Sequence, residues 1–479
     1  MAENVTKPTV LKSLIWTFLE KGGSQGIQLI ISIILARLLA PAEYGIIALV
    51  AIFIQLATAF IQTGFGTALI QKQEVNHVDF STVLYLSLFI SVICYTILFF
   101  AAPFIAAFYN QEILIRVVRI LGLSCFSTAL TCPQYAYIAK YMEFKKRFYG
   151  STTANFLSGI AGVILAYTGF GVWALVVQQL LYGYIAFIIL FITVKWRPTI
   201  AFSFEKMKYV VKFSYKLLFS TLLGSLAGGL NGLIIGKFFS GTQLGIYSKG
   251  QHFPNFVASN LISAIQTVSL PTLSAFNSDS ERLKKITRRF ISLSSYVLMP
   301  CMFGLSAVAA PLVETLLSET WIDCIPYLQI ACFSFMFSSI TPSLLSAINA
   351  LGRSDVFLKL EVIKDIIAVI ALIITAPLGM IYIALGQVVV NILLVFIYVF
   401  PCKTLLGYTV FEVLQDLLPS FLLSICMAIL VYPIQFLHLH NILILVLQIL
   451  VGIATYIGLS LLFKYEPFFY ILKSLKHKD

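Results

Sequence analysis

The chain has 479 residues, 59% of them hydrophobic and only 11% charged, with a formal charge of +12. Soluble domains carry roughly 25% charged residues, so no soluble core could bury this much apolar surface and the solvent for most of the chain is lipid. A soluble enzyme is excluded. Nucleic acid is excluded as a partner too, because no basic helix or aromatic stacking platform accompanies the excess cations.

The chain opens Met-Ala-Glu-Asn-Val-Thr-Lys-Pro, with no basic n-region and no cleavage site ahead of the first apolar run. The first span is therefore expected to be retained rather than removed as a signal peptide. A membrane helix needs about 20 apolar residues. Fourteen runs qualify, at 13–37, 44–70, 80–107, 113–138, 149–168, 171–194, 213–238, 246–273, 287–311, 325–350, 357–376, 379–400, 413–437 and 441–463. Strand-like alternation is absent. Lipid forces each spanning segment to satisfy its own backbone N–H and C=O groups, so the expected fold is all-α and polytopic.

The first of these helices ends in Ala36-Arg37-Leu38-Leu39-Ala40-Pro41-Ala42-Glu43-Tyr44-Gly45, a helix–loop–helix corner. A matching corner, Gly236-Lys237-Phe238-Phe239-Ser240-Gly241-Thr242-Gln243-Leu244-Gly245, follows at a constant offset of 200. Arg37 pairs with Lys237, Leu39 with Phe239 and Gly45 with Gly245. In the helices before the corners, Ser24, Gln28, Ser32 and Ala36 coincide with Gly224, Gly228, Gly232 and Gly236. Later in each copy a glycine precedes a glutamine by eight residues (Gly171 and Gln179, Gly379 and Gln387).

The match predicts two duplicated six-helix lobes, parallel because an even number of helices separates them, with a cleft between. The boundaries follow. Residues 1–12 are a cytoplasmic tail, 13–194 the N-terminal lobe and 195–212 a cytoplasmic linker. The C-terminal lobe is 213–400, two further helices occupy 413–463, and 464–479 is a second tail. The glycines of the seventh helix, with Pro133 and Pro342, read as interrupters or close-packing points. A row at every fourth residue winds by about 40° per step, so it cannot all face one neighbour.

Lys and Arg gather in the even-numbered loops and both tails, as in Lys145-Lys146-Arg147, Lys284-Lys285 and Arg288-Arg289. One opposite loop is acidic (Glu314, Glu319, Asp323). Positive loops face the cytoplasm, which places both termini there. The eight cysteines lie mostly within spans and form no C-x-x-C pair. His438 and His440 lack a third ligand, so no metal site is expected.

Ionisable groups inside a membrane are costly enough to count as functional hypotheses. Glu20, Lys21 and Lys216 stand on the two lobe-opening helices and read as cavity-lining. Arg37 and Lys237 close those helices, and Lys249 follows in the eighth. Arg116 and Arg119 share a face of the fourth helix, as Glu361, Lys364 and Asp365 do of the eleventh. Arg116 and Lys237 read equally well as snorkelling to the interface, and the Glu361 group as a self-neutralising cluster. Excess cations lining a cleft suit a substrate that carries phosphate. No metalloprotease, nucleophile-elbow or Walker pattern competes.

The Ala36–Gly45 corner, after a first helix bearing Gly22-Gly23 and Gly26, resembles the opening of the Wzx-type polysaccharide transporters, nearest to the WzxC/TuaB-like exporters. Their superfamily also holds the MATE exporters and the lipid II flippase. The resemblance spans the whole chain and implies a MATE-like fold of about 14 helices. It also implies a flippase for an undecaprenyl-diphosphate-linked oligosaccharide in the bacterial cytoplasmic membrane. The membrane lipid around it and a downstream polysaccharide polymerase would be its partners. No cofactor is expected beyond sodium or proton coupling, for which Glu20 and Asp365 are the candidates. Substrate-binding cations on this reading are Lys21, Arg37, Arg116, Arg119, Lys216, Lys237, Lys249 and Lys364. The alternatives are a small-molecule exporter of the MATE kind, which would want intramembrane carboxylates, and a polysaccharide polymerase, which would want a large external loop.

Overall fold

A computed structural model describes residues 16, 20–62, 64–72, 74–274, 276, 279–437 and 439–476. The described chain is almost entirely helical, without strands. Within the described residues each expected span falls on helix, and ten stretches are long and apolar enough to cross a bilayer. Of the remaining expected spans the first is a shorter apolar helix over Gly22–Leu38 within the described residues, and the other three are helical but carry more polar groups. The chain is a multi-pass membrane protein.

Two compact units divide the chain, Met1–Gly245 and Ile246–Asp479. In the first, a π-helical turn Glu20–Ser24 leads into α1 (Gln25–Leu38), followed by α2 (Pro41–Gln62) and α3 (Phe65–Gln71). The second expected run breaks between α2 and α3 at Gly64, whose φ of 86° is a conformation that favours glycine. α4 (His77–Tyr109) starts on a reciprocal cap, in which Asn76 accepts from the Asp79 N–H and Asp79 accepts from the Asn76 N–H. The fourth run is kinked into α5 (Ile113–Leu121) and α6 (Ser124–Tyr141), and the Leu123 carbonyl at the kink accepts from the Phe126 N–H at 3.1 Å and from the Tyr184 hydroxyl at 2.9 Å.

α7 (Phe144–Tyr167) buries a stripe of small residues that includes Gly150, Ala154, Ser158, Gly159 and Gly162. A Cβ on Gly159 would overlap Ile31 of α1, and one on Gly162 would meet Gln178 of α8 (Val172–Thr193) at 3.0 Å. Lipid tails are as apolar as side chains, so close backbone approach rather than hydrophobicity drives such pairing. Asn155 of α7 also donates to the Ser24 hydroxyl at 2.6 Å, tying the first span to α7.

α9 (Phe204–Phe238) begins well before the expected seventh span, so the polar connection shrinks to the residues before Ser203, which caps the new helix. That connection is stitched to α4 through Ser81, Tyr85 and Thr82, which bond the backbone or side chain of Thr199 and Ser203. Along α9 the close-packing glycines are Gly229, against Ile52, and Gly236, against Leu49 and Tyr109. Gly224, Gly228 and Gly232, read from the sequence as packing points, instead have nothing within 4 Å of a Cβ. The helical winding explains the split, since Gly229 lies on a different face from that row. These contacts with α2 and α4 hold α9 in the first unit.

The second unit takes up α10 (Gly241–Ser274) from Ile246 onward. α11 (Ser280–Ala307) and α12 (Ala309–Leu316) follow, then a 3-10 turn Glu319–Cys324 whose Trp321 is fully buried. The tenth span is broken into α13 (Ile325–Phe335) and α14 (Ile340–Ala350). α15 (Ser354–Thr375), α16 (Met380–Leu406), α17 (Val410–Val431) and α18 (Asn441–Leu462) complete the spans. α11 is the hub. Tyr296 donates to Ser460 of α18 at 2.9 Å, and Tyr456 of α18 donates back to the Tyr296 carbonyl at 2.8 Å. At its start Arg288 grips Asp416 of α17 with two bonds, at 2.9 and 2.7 Å. The expected C-terminal tail is partly structured, as the short amphipathic helix α19 (Glu466–Lys476).

Candidate functional site

The duplicated corners are built alike. Leu35 and Ile235 accept the closing N–H of Leu39 and Phe239, each at 2.9 Å, and both side chains are buried. The third residue of the next helix then caps it backwards. Glu43 accepts from the Ala40 N–H, and Gln243 accepts from the Ser240 N–H at 3.1 Å. This equivalence of Glu43 and Gln243 was legible at the 200-residue offset, since an acid or amide at the third helical position is a start signal.

The two corners also touch. A Cβ on Gly45 would overlap the Gly241 carbonyl oxygen, and one on Gly245 would overlap the Pro41 carbonyl oxygen. At the 200-residue offset, position 41 matches 241 and 45 matches 245, so the contact is reciprocal in the manner of an isologous interface. Glycine at 45 and 245 is what lets the two backbones meet.

The candidate cations divide into several environments. Lys237, exposed at the end of α9, donates to the Phe108 carbonyl at 2.7 Å and sits 4.4 Å from that ring. Arg119 lies over Phe99 at 4.0 Å, held on α4, while Arg116 on the same short helix is exposed. Arg37 is exposed at the end of α1. Lys249 is only 4% exposed, with its ammonium 5.8 Å from the Trp321 ring in the interior of the second unit. Lys364 binds Glu361 at 2.6 Å and lies 3.7 Å from Asp365, and Tyr398 donates to Glu361 at 2.9 Å. That group is one linked cluster on α15 and α16. The side chains of Glu20, Lys21 and Lys216 lie outside the described residues, as does His438.

On the two helices that precede the corners the backbone is bare in places. Gly22 and Gly26 of the first span have open space where a Cβ would go, as Gly224, Gly228 and Gly232 of α9 do. Surfaces of this kind admit a ligand close to the main chain.

Two features were missed from the sequence. One is an apolar groove of about 620 Å³ in the second unit, which runs past Val297, Pro300, Leu305, Met427, Ile449 and Ile453. The other is a set of ion pairs at the helix starts, with Asp79 bound by Lys72 (2.6 Å) and Lys206 (3.0 Å), and Glu412 by Lys284 (2.8 Å). The acids were readable as capping residues in Asn-x-x-Asp and Thr-x-x-Glu. Their distant cations were not.

Residues 34–326 match the family described as polysaccharide biosynthesis protein. The succinoglycan biosynthesis transport protein ExoT of Rhizobium meliloti (strain 1021) is 25% identical over 334 residues, which is 70% of this chain and 68% of that protein. The lipopolysaccharide biosynthesis protein WzxC of Escherichia coli (strain K12) is 23% identical over 414 residues, 84% of this chain and 82% of that one. Among solved structures, the lipid II flippase MurJ in an inward closed conformation superposes with a TM-score of 0.74 at 15% identity, covering 95% of this chain and 98% of that one. The last likeness establishes the fold. The family match spans well over half of the sequence, and the chain accordingly belongs to the polysaccharide biosynthesis protein family.

Proposed function

We propose that this protein is a flippase. It moves an undecaprenyl-diphosphate-linked oligosaccharide, the repeat unit of an O-antigen, capsule, exopolysaccharide or teichuronic acid, from the cytoplasmic to the outer leaflet by alternating access. The observation that carries this reading is membership of the polysaccharide biosynthesis family across residues 34–326 of an all-helical membrane chain. The named relatives are transport and biosynthesis proteins for such polymers.

Translocation rather than group transfer is the activity. The polyprenyl tail stays in lipid while the diphosphate and sugars pass a polar, cation-lined surface on which a desolvated phosphoryl group finds charged donors. Lys21, Arg37, Arg116 and Lys216 are assigned to that surface, with Arg119, Lys237, Lys249 and Lys364 as further contributors. The open glycines on the two helices that carry Lys21 and Lys216 support it. Glu20 and Asp365 are the assigned positions for sodium or proton coupling. The sequence repeat at a 200-residue offset supports two related lobes, 13–194 and 213–400. Basic loops support a bacterial cytoplasmic-membrane location with both termini inside. A polysaccharide polymerase is the partner that consumes the product.

Deletion in the native host tests the reading. Lipid-linked repeat units should accumulate in the cytoplasmic leaflet, with surface polymer lost and drug susceptibility unchanged. Normal surface polymer would refute it, and drug hypersensitivity alone would favour the MATE-like exporter.

A further inference from the structure

The start of α11 in the second unit carries a pocket of about 380 Å³ lined by Lys285, Arg288, Arg289, Asp416, Glu466 and Tyr470. Arg288 is already held by Asp416 through two hydrogen bonds and by Glu412 at 3.3 Å. Lys285 and Arg289 are exposed, and the Arg289 guanidinium lies 3.7 Å from the Tyr470 ring centroid, so an aromatic face positions it.

This pocket adjoins the apolar groove. Ser292 and Leu293 line the pocket, and one helical turn further along α11 Tyr296 and Val297 line the groove. α19 closes both, with Pro467 and Tyr470 in the pocket and Phe468 in the groove. A cationic recess one helical turn from an apolar groove on the same membrane helix has the form of a lipid site, head first and chains after.

The geometry points to a bound anionic glycerophospholipid. Its phosphodiester lies between Lys285 and Arg289, and its acyl chains lie along the groove beside α18. Charge selects this class. Four cations (Lys284, Lys285, Arg288 and Arg289) face three carboxylates (Glu412, Asp416 and Glu466), a net of one positive charge. That suits a phosphodiester monoanion such as phosphatidylglycerol and leaves a diphosphate's second charge facing the acids. A zwitterionic lipid brings an ammonium that Lys285 and Arg289 repel. This assignment rests on the membrane fold rather than on the flippase reading.

Native mass spectrometry of the full chain in detergent tests the assignment, with phosphatidylglycerol and phosphatidylcholine at equal concentration. The parent should retain phosphatidylglycerol about tenfold over phosphatidylcholine. The double variant Lys285→Ala/Arg289→Ala should fall to parity, and Lys195→Ala, which removes one exposed charge elsewhere, should behave as the parent. If the double variant fails to fold, Arg289→Gln alone should lose most of the preference. The assignment is overturned if the preference survives these changes. It is equally overturned if millimolar inorganic phosphate or equimolar polyprenyl diphosphate displaces phosphatidylglycerol from the parent. An inactive flippase that still selects phosphatidylglycerol would refute the functional reading and leave this one standing.

Discussion

Gly45 and Gly241 leave no room for a side chain between them, because a Cβ on Gly45 would overlap the Gly241 carbonyl oxygen. The equivalent pair, Gly245 and Pro41, is as tight. Gly45→Ala and Gly245→Ala should therefore each destabilise the detergent-solubilised protein by about 1–3 kcal/mol, as overpacking does. Gly228→Ala, with nothing within 4 Å, should be neutral or stabilising by up to about 1 kcal/mol. Thermal unfolding followed by intrinsic fluorescence reads all three. Equal melting of Gly45→Ala and the parent would contradict the close contact.

Arg288 joins α11 to α17 by two parallel bonds to Asp416, and Tyr408 donates to the same carboxylate at 2.7 Å. These side chains are partly exposed, so the loss on Arg288→Ala should be that of charged hydrogen bonds, about 1–3 kcal/mol. Arg288→Lys should recover less than half, because an ammonium cannot bridge both oxygens. A double-mutant cycle with Asp416→Asn should give a coupling of about 0.5–3 kcal/mol. A coupling near zero would mean that the pair contributes nothing.

Asp79, only 3% exposed, gathers Lys72, Lys206 and the Asn76 N–H on one carboxylate. Through Lys206 it fastens the start of α9 to the start of α4. Asp79→Asn should loosen the 199–206 segment more than it unfolds the bundle. Limited proteolysis at Lys206 and Lys208 should accelerate several-fold while the melting temperature moves little. Unchanged cleavage would place the restraint elsewhere, for instance in the Ser81–Thr199 bond.

Lys21 and Lys216 stand on the paired helices that precede the corners. Lys21→Ala or Lys216→Ala should abolish surface polysaccharide in a complementation assay while leaving expression and membrane insertion intact. Normal display with both variants would remove the cationic surface from the mechanism. Glu20→Gln should instead alter dependence on the sodium or proton gradient, if that residue carries the coupling ion.

Hydropathy made the helices legible because lipid leaves the backbone no other partner. The breaks within spans were harder to place. Gly64 and the Gly122–Leu123 kink lie inside continuous apolar runs, and the Tyr184 hydroxyl that bonds the second comes from a distant helix. The corner repeat located Arg37, Lys237, Gly45 and Gly245, yet it could not say that the two copies rest on each other, since offset carries no spatial information. Gly224, Gly228 and Gly232 misled for a related reason. Spacing locates a row of small residues, and only the neighbouring helix decides whether that row is packed or open. Glu361 and Lys364 were legible as one-turn neighbours and do pair, whereas the Tyr398 hydroxyl that completes their cluster comes from another helix. The pocket and groove along α11 assemble from segments more than a hundred residues apart, beyond any local pattern.

The most direct test reconstitutes the purified protein alone in liposomes that carry a fluorescent polyprenyl-diphosphate oligosaccharide in the inner leaflet. The flippase account predicts that the glycan becomes accessible to an external quencher at a rate well above protein-free vesicles, and that the rate collapses with Lys21→Ala. Quenching no faster than in empty liposomes, from protein that is folded and carries an imposed ion gradient, would contradict it.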